Sequence, residues 1–238
     1  MPAKLTEAEI LKLLRDNANP RGLQHWKKMG EGTGGLESFG IGLTQLRKLA
    51  KQVGRDHELA RKLWESDNHD VKIVGLLIDE PKRITREQVE AQVEKVGAGM
   101  LAHVFSCCDA TFAKSQVAPE TAKDWMDSDD EMRRSCAYAL IYELSKKKKI
   151  PGMDDEFLLG CIDRIRRDIG KETSRVQLSM GGALIGIGKR NQVLNTAAVK
   201  LAKEVSPIDY GTGNSGCEPL DVLKHLASDY LKKKLGLN

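Results

Sequence analysis

Leu59-Ala-Arg-Lys-Leu-Trp-Glu-Ser-Asp67 and Thr121-Ala-Lys-Asp-Trp-Met-Asp-Ser-Asp129 are two versions of one pattern. In each, a tryptophan (Trp64, Trp125) leads into an acidic turn, and an aliphatic residue (Val71, Met132) follows seven positions after it. Either copy reads as a helix, a tight polar turn and a second helix, because apolar residues recur at helical spacing on both sides of the turn. A helix pair of this size carries an apolar face that it cannot bury alone.

Recurring pairs bury such faces by stacking on one another, which argues for a solenoid of the HEAT or armadillo kind. The two tryptophans lie 61 positions apart, longer than the usual repeat of about 40–47 residues. An intervening helix pair at 86–117 fits that interval. The composition agrees with a mainly α chain: aromatics are 5% of 238 residues, and Ala, Leu, Lys, Glu and Arg fall in patches of helical period.

At the amino end, Thr6 with Glu9 is a capping-box pattern that starts a helix over 5–15. That helix is expected to stop near Asn17-Ala-Asn-Pro20, and the glycines of Gly30-Glu-Gly-Thr-Gly-Gly35 break the chain before a new helix capped by Thr44. A helix near 176–190 places Val176, Met180, Ala183, Leu184 and Ile187 at core spacing, with Gly181, Gly182, Gly186 and Gly188 among them. Tight packing against a neighbouring helix, or close approach of a ligand backbone, would offset the cost of those glycines, about 0.5–1 kcal/mol each. After Val205 a Gly/Ser/Pro-rich loop precedes a last helix, 219–235. The domain expectation is one repeat domain over 1–238: an amino-terminal helix and Gly-rich loop (1–35), helical repeats (36–205), and a loop with a closing helix (206–238).

No uncharged apolar run reaches the length of about 18 residues needed to span a bilayer, and the first residues lack the apolar core of a secretion signal, so a cytoplasmic protein is expected. The formal charge of +4 is too small to assign a partner by itself. Five cysteines without C-x-x-C spacing read as reduced thiols. Cys107 and Cys108 on a helix point about 100° apart, a poor chelating pair. His103, Ser106 and Cys108 would likewise fall on different helix faces, and no G-x-S-x-G signal accompanies them. Neither a metal site nor a cofactor is expected.

On the helix beginning at Met132, Cys136, Leu140 and Leu144 share one face, while Arg134, Tyr138 and Tyr142 fall on another at i, i+4, i+8. Two tyrosines and an arginine in one stripe can combine a phosphate contact with packing on sugar or base, or form an ordinary solvated face. Arg175, Gly182 and Lys189 recur at seven-residue intervals, so that Gly182 leaves room for a backbone between two cations. The run Lys146–Lys149 offers sequence-independent phosphate attraction or is simply solvated.

Phe39-Gly-Ile-Gly-Leu-Thr-Gln-Leu-Arg-Lys-Leu-Ala-Lys51, His57-Glu-Leu-Ala-Arg-Lys-Leu-Trp64, Met132-Arg-Arg-Ser-Cys-Ala-Tyr-Ala139 and Ser179-Met-Gly-Gly-Ala-Leu-Ile-Gly-Ile-Gly188 stand in the order of landmarks in the AlkD-type DNA alkylation repair proteins, and the Cys217-Glu-Pro-Leu-Asp221 tail is similar to one branch. The chain resembles that family over about 36–226. The resemblance implies an all-α fold, a right-handed α-solenoid of HEAT-like repeats, that grips duplex DNA, alkylated or otherwise non-standard forms included. Active members excise cationic alkylpurines without metal or cofactor, through a Trp-Asp-x-x-Asp motif and a second Trp on a later helix. Arg134 matches the family's backbone-binding arginine. The segment 99–114, where the motif is expected, contains no Trp and no Asp-x-x-Asp, and Gly182 stands at the later Trp position. Asp109 is the one carboxylate there that could replace the catalytic acid; otherwise it is a solvated helix acid. The expectation is a DNA-binding family member lacking the usual excision residues. The alternatives are an alkylpurine glycosylase using Asp109 and a protein-interaction solenoid.

Overall fold

Side-chain caps decide where most helices of this computed structural model begin. It describes residues 5–108, 110–147, 149–208 and 219–237, and among them there are helices, turns and loops but no strands. Thr6 and Glu9 form the expected capping box on α1 (Glu7–Asp16), with Thr6 N donating to the Glu9 carboxylate at 2.7 Å. A helix absent from the sequence expectation follows, α2 (Pro20–Lys28). Asn19 caps it through the amides of Arg21 and Gly22, and Pro20 sits at its first position, where no amide hydrogen is needed. Thr44 is not a cap: α3 (Leu43–Val53) starts from Gly42, and Thr44 lies inside its first turn.

The chain divides into two compact units, Met1–Val117 and Ala118–Asn238. In the first, the quoted pattern forms α4 (His57–Trp64) and α5 (His69–Ile78), capped by Asp56 and Asn68. The expected intervening pair is α6 (Arg86–Val93) and α7 (Leu101–Ser106). Trp64 is buried, and α5 is buried along almost its whole length.

A central helix that carries His69, Asp70 and Lys72 must satisfy those groups internally, because an unpaired buried polar group costs on the order of 1–3 kcal/mol. Asp70 accepts from Ser38 Oγ, Phe39 N at 2.9 Å and Ile41 N at 3.2 Å, and lies 3.0 Å from His69 Nδ1. Asp79 does the same for His57 Nδ1 and Gln88 Nε2, each at 2.7 Å. Lys72 donates to the Trp64 carbonyl with its ammonium 4.7 Å from the Trp64 ring centre, and burial pushes its pKa down. Asp70 thereby pins the Phe39-Gly-Ile-Gly loop. Gly40, at φ +71°, is required there: a Cβ would stand 2.3 Å from Leu23 N.

The second unit repeats the helix pair as α8 (Ala118–Met126) and α9 (Glu131–Ser145), then α10 (Asp155–Asp168) and α11 (Ser174–Gly188), then α12 (Gln192–Val205) and the short α13 (Val222–Leu226). The single closing helix expected over 219–235 is in fact two, α13 and α14 (Asp229–Leu235), separated at Ala227 and Ser228. Trp125 is buried like Trp64, and Val176, Met180, Ala183, Leu184 and Ile187 are all in the core as their spacing implies. Helices α9 and α11 run side by side in the same direction. Ser135 Oγ meets Ser179 Oγ at 2.8 Å across 44 positions, and Tyr142 abuts Gly186 with the same offset. A constant offset of that size is the spacing of a HEAT-type repeat. The fold is all-α and built of HEAT-like helical repeats, as expected.

Candidate nucleic-acid interface

The residues singled out on α9 and α11 separate into three groups. Arg134 lies in the first turn of α9, where Asp130 caps the helix by accepting from Arg133 N. Its guanidinium forms a fork on Glu172, Nε to Oε1 and Nη2 to Oε2 at 2.9 Å each, and Nη1 donates to the Ser128 carbonyl at 2.8 Å. The Glu172 carboxylate raises the pKa of Arg134 further above its ordinary range. These bonds use three of the five guanidinium hydrogens. The side chain keeps 21% of its surface open.

Arg175, in the first turn of α11, approaches Glu131 at 3.9 Å, a loose pair with both members about half exposed. Thr173 makes no side-chain bond to the amides at this helix start. Each of these two helix starts thus carries a guanidinium beside a carboxylate, Arg134 with Glu172 and Arg175 with Glu131, so that an anion reaches either arginine in competition with its partner.

Gly182 follows on α11, and a Cβ there would meet nothing within 4 Å. Its neighbours behave differently. At Gly181 a Cβ would stand 2.6 Å from Ile208 Cδ1, at Gly186 2.8 Å from Tyr142 Cα, and at Gly188 2.6 Å from Leu226 Cδ2. Three of the four glycines permit tight packing, and Gly182 faces open space.

Lys189 is the carboxyl-terminal cap of α11. It is half-buried, and its pKa is lowered by desolvation first and then by the positive charges of Lys146 and Lys234. The Lys146 ammonium sits 4.3 Å from the centre of the Tyr142 ring and 2.8 Å from Glu143 Oε1. From Arg175 to Lys189 the helix rises about 21 Å at 1.5 Å per residue.

Tyr138 does not belong to this surface. It is 1% exposed, and burial pushes its hydroxyl up to about 12, opposed by the nearby Arg164. The stripe expected at Arg134, Tyr138 and Tyr142 assumed one buried arc on α9. In fact α8 and α11 pack on two sides of it, so the middle tyrosine is enclosed while Arg134 and Tyr142 stay at the margin.

In the amino-terminal unit, Asp109 lies outside the described residues. Its surroundings depart from expectation, because α7 ends at Ser106 instead of continuing. Cys107 is extended, and Cys108 takes a positive φ of 52°. This turn folds Cys108 Sγ back to 2.8 Å from His103 Nε2. The thiols of Cys107 and Cys108 and the His103 ring, expected on diverging faces, have ligand atoms all within 4.8 Å of one another. Beside them a cleft of about 580 Å³ is lined by Arg47, Lys51, Arg55, Cys108 and Lys114. Arg47 donates to the Cys108 carbonyl, and Arg55 to Leu77 O, Asp79 O and Thr111 Oγ1. Glu172 and this cationic cleft were not found by reading the sequence, since each depends on contacts between residues 38 or more positions apart.

No helix among the described residues is long and apolar enough to cross a membrane.

Residues 10–208 match the family model described as DNA alkylation repair enzyme. The chain is 28% identical over 199 residues to the uncharacterized protein Lmo0209 of Listeria monocytogenes serovar 1/2a, covering 80% of this chain and 83% of that one. It is 25% identical over 193 residues to the uncharacterized protein Lin0241 of Listeria innocua serovar 6a, with the same shares covered. Among solved structures it is similar to one from work described as "A new family of proteins related to the HEAT-like repeat DNA glycosylases with affinity for branched DNA structures". The TM-score is 0.79 at 20% identity, over 98% of this chain and 97% of that one.

Proposed function

This chain belongs to the DNA alkylation repair enzyme family, and from that premise we propose that it binds DNA through the phosphate backbone, without the usual alkylpurine excision residues. The observation that carries this reading is the polar margin of α9 and α11. Arg134 and Arg175 stand at the two helix starts, Gly182 offers a bare stretch of helix, and Lys189 stands at the far end. Cations separated by a gap suit a strand of phosphates passing between them. Contacts of this kind hold the shape of the nucleic acid and carry no base sequence.

The absence of Trp-Asp-x-x-Asp from 99–114 supports binding without excision. Stabilising positive charge on a departing sugar requires an anion fixed in a water-poor site. The structural relative's affinity for branched DNA supports extending the substrate from plain duplex to junctions.

The test compares labelled duplex and four-way-junction DNA, with N-methylpurine-containing duplex run for base release. Binding without release is expected. Release that disappears in Asp109→Asn would replace this reading with a glycosylase using that carboxylate. Neither binding nor release would point to a protein-interaction solenoid.

A further inference from the structure

We propose that His103, Cys107 and Cys108 form a binding site for a zinc ion. This goes beyond the DNA reading and does not depend on it. The three ligand atoms, a ring nitrogen of His103 and the two sulfurs, already lie within 4.8 Å of one another, with Cys108 Sγ 2.8 Å from His103 Nε2. Around tetrahedral zinc, with Zn–S near 2.3 Å and Zn–N near 2.0–2.1 Å, such atoms stand roughly 3.5–3.8 Å apart. Closing the widest pair by about an ångström, and opening the 2.8 Å pair of Cys108 and His103 by about 0.7 Å, brings the three atoms to that spacing.

The local backbone is shaped for this convergence. On a continued helix, adjacent cysteines would diverge by about 100°. Here α7 stops at Ser106, Cys107 is extended, and Cys108 adopts the left-handed region, which is unfavourable for a residue with a Cβ. The result is a Cys108 sulfur seated on the His103 ring.

An imidazole with two thiolates is a soft donor set that favours zinc over magnesium or calcium. A water or an external donor completes the fourth position, as in zinc sites with three protein ligands. Both thiols ionise on binding, so two protons leave as one ion enters, and the affinity rises with pH. The ion ties the end of α7 to the turn after it. It thereby fixes the wall of the cationic cleft to which Cys108 contributes.

The experiment is a titration of the full-length, reduced protein with cobalt(II), a spectroscopic substitute for zinc, followed by displacement with zinc. One equivalent of cobalt is expected to give a near-ultraviolet sulfur-to-cobalt charge-transfer band that zinc abolishes. His103→Gln and Cys108→Gly should each lose it. Cys108→Gly removes the thiol yet favours the same backbone, so an unchanged helical circular dichroism spectrum assigns the loss to the ligand rather than the fold. Should that variant misfold, His103→Gln decides alone. No charge-transfer band with one equivalent of cobalt, or a band that survives in His103→Gln, overturns the proposal.

Discussion

Arg134 is held by a carboxylate, and that shapes how a phosphate reaches it. Glu172 takes two of its hydrogens in a fork, and the Ser128 carbonyl takes a third. Charge-assisted bonds of this kind contribute about 1.5–3 kcal/mol. Replacing Arg134 with Ala therefore mixes a lost DNA contact with a lost clamp, whereas Glu172→Gln removes the competing charge and leaves the guanidinium in place. Glu172→Gln should lower the melting temperature while tightening DNA binding several-fold, read by thermal melting alongside a DNA titration. Unchanged or weaker affinity in a folded variant would remove Arg134 from the interface. None of this was legible at the residue itself, because the partner lies 38 positions away with no local signal. Thr6 and Glu9 were legible, since a capping box is contained in one turn. Asn19-Pro20 carried an equally local start signal for α2, which was read only as a stop.

At the scale of the element, α11 separates packing from access. Its core face was readable from spacing because Val176, Met180, Leu184 and Ile187 follow the helical period. The glycines were not, because each depends on what a neighbouring segment places against it. The distinction can be measured. Gly182→Ala should raise stability by about 0.5–1 kcal/mol, the helix propensity gain with no clash to oppose it. Gly186→Ala should lower it by about 1–3 kcal/mol, because the new methyl meets the backbone of Tyr142 at 2.8 Å. Equal effects in denaturant titrations of the two variants would contradict the packing described. The stripe on α9 failed as a sequence reading for a related reason. Periodicity reports one apolar arc, and it cannot show that a helix between α8 and α11 is enclosed far enough to bury Tyr138. The turn at Cys107 and Cys108 was equally hidden, since neither Gly nor Pro marks the end of α7.

For the whole molecule, the echo around Trp64 and Trp125 was enough to indicate stacked helix pairs, because the apolar face of each pair has to be covered. The repeat length emerged only from the contacts of α9 with α11. Burial also gives the molecule an alkaline limit. Tyr138 is pushed up to about 12 from 10.0 and Cys161 up to about 12 from 9.0, in both cases chiefly by desolvation. At neutral pH each group is protonated in folded and unfolded chains alike, so neither makes stability depend on pH there. As pH approaches and passes the unfolded values the open chain loses protons first, and stability falls as pH rises from about 8 towards 12. For Tyr138 two pH units at 1.36 kcal/mol each give a loss of up to about 2.7 kcal/mol. Tyr138→Phe should flatten the upper part of this decline in melting experiments from pH 8 to 12. A decline as steep as the wild type's would place the alkaline sensitivity elsewhere.

The measurement that bears most directly on DNA binding through the margin of α9 and α11 is a salt-dependent titration of labelled duplex with wild type and with Arg175→Gln/Lys189→Gln. Wild-type affinity should fall linearly with salt on logarithmic axes, and removal of two phosphate contacts should weaken binding and reduce that slope by about two. Affinity and slope identical to wild type in a folded double variant would contradict the assignment of this surface.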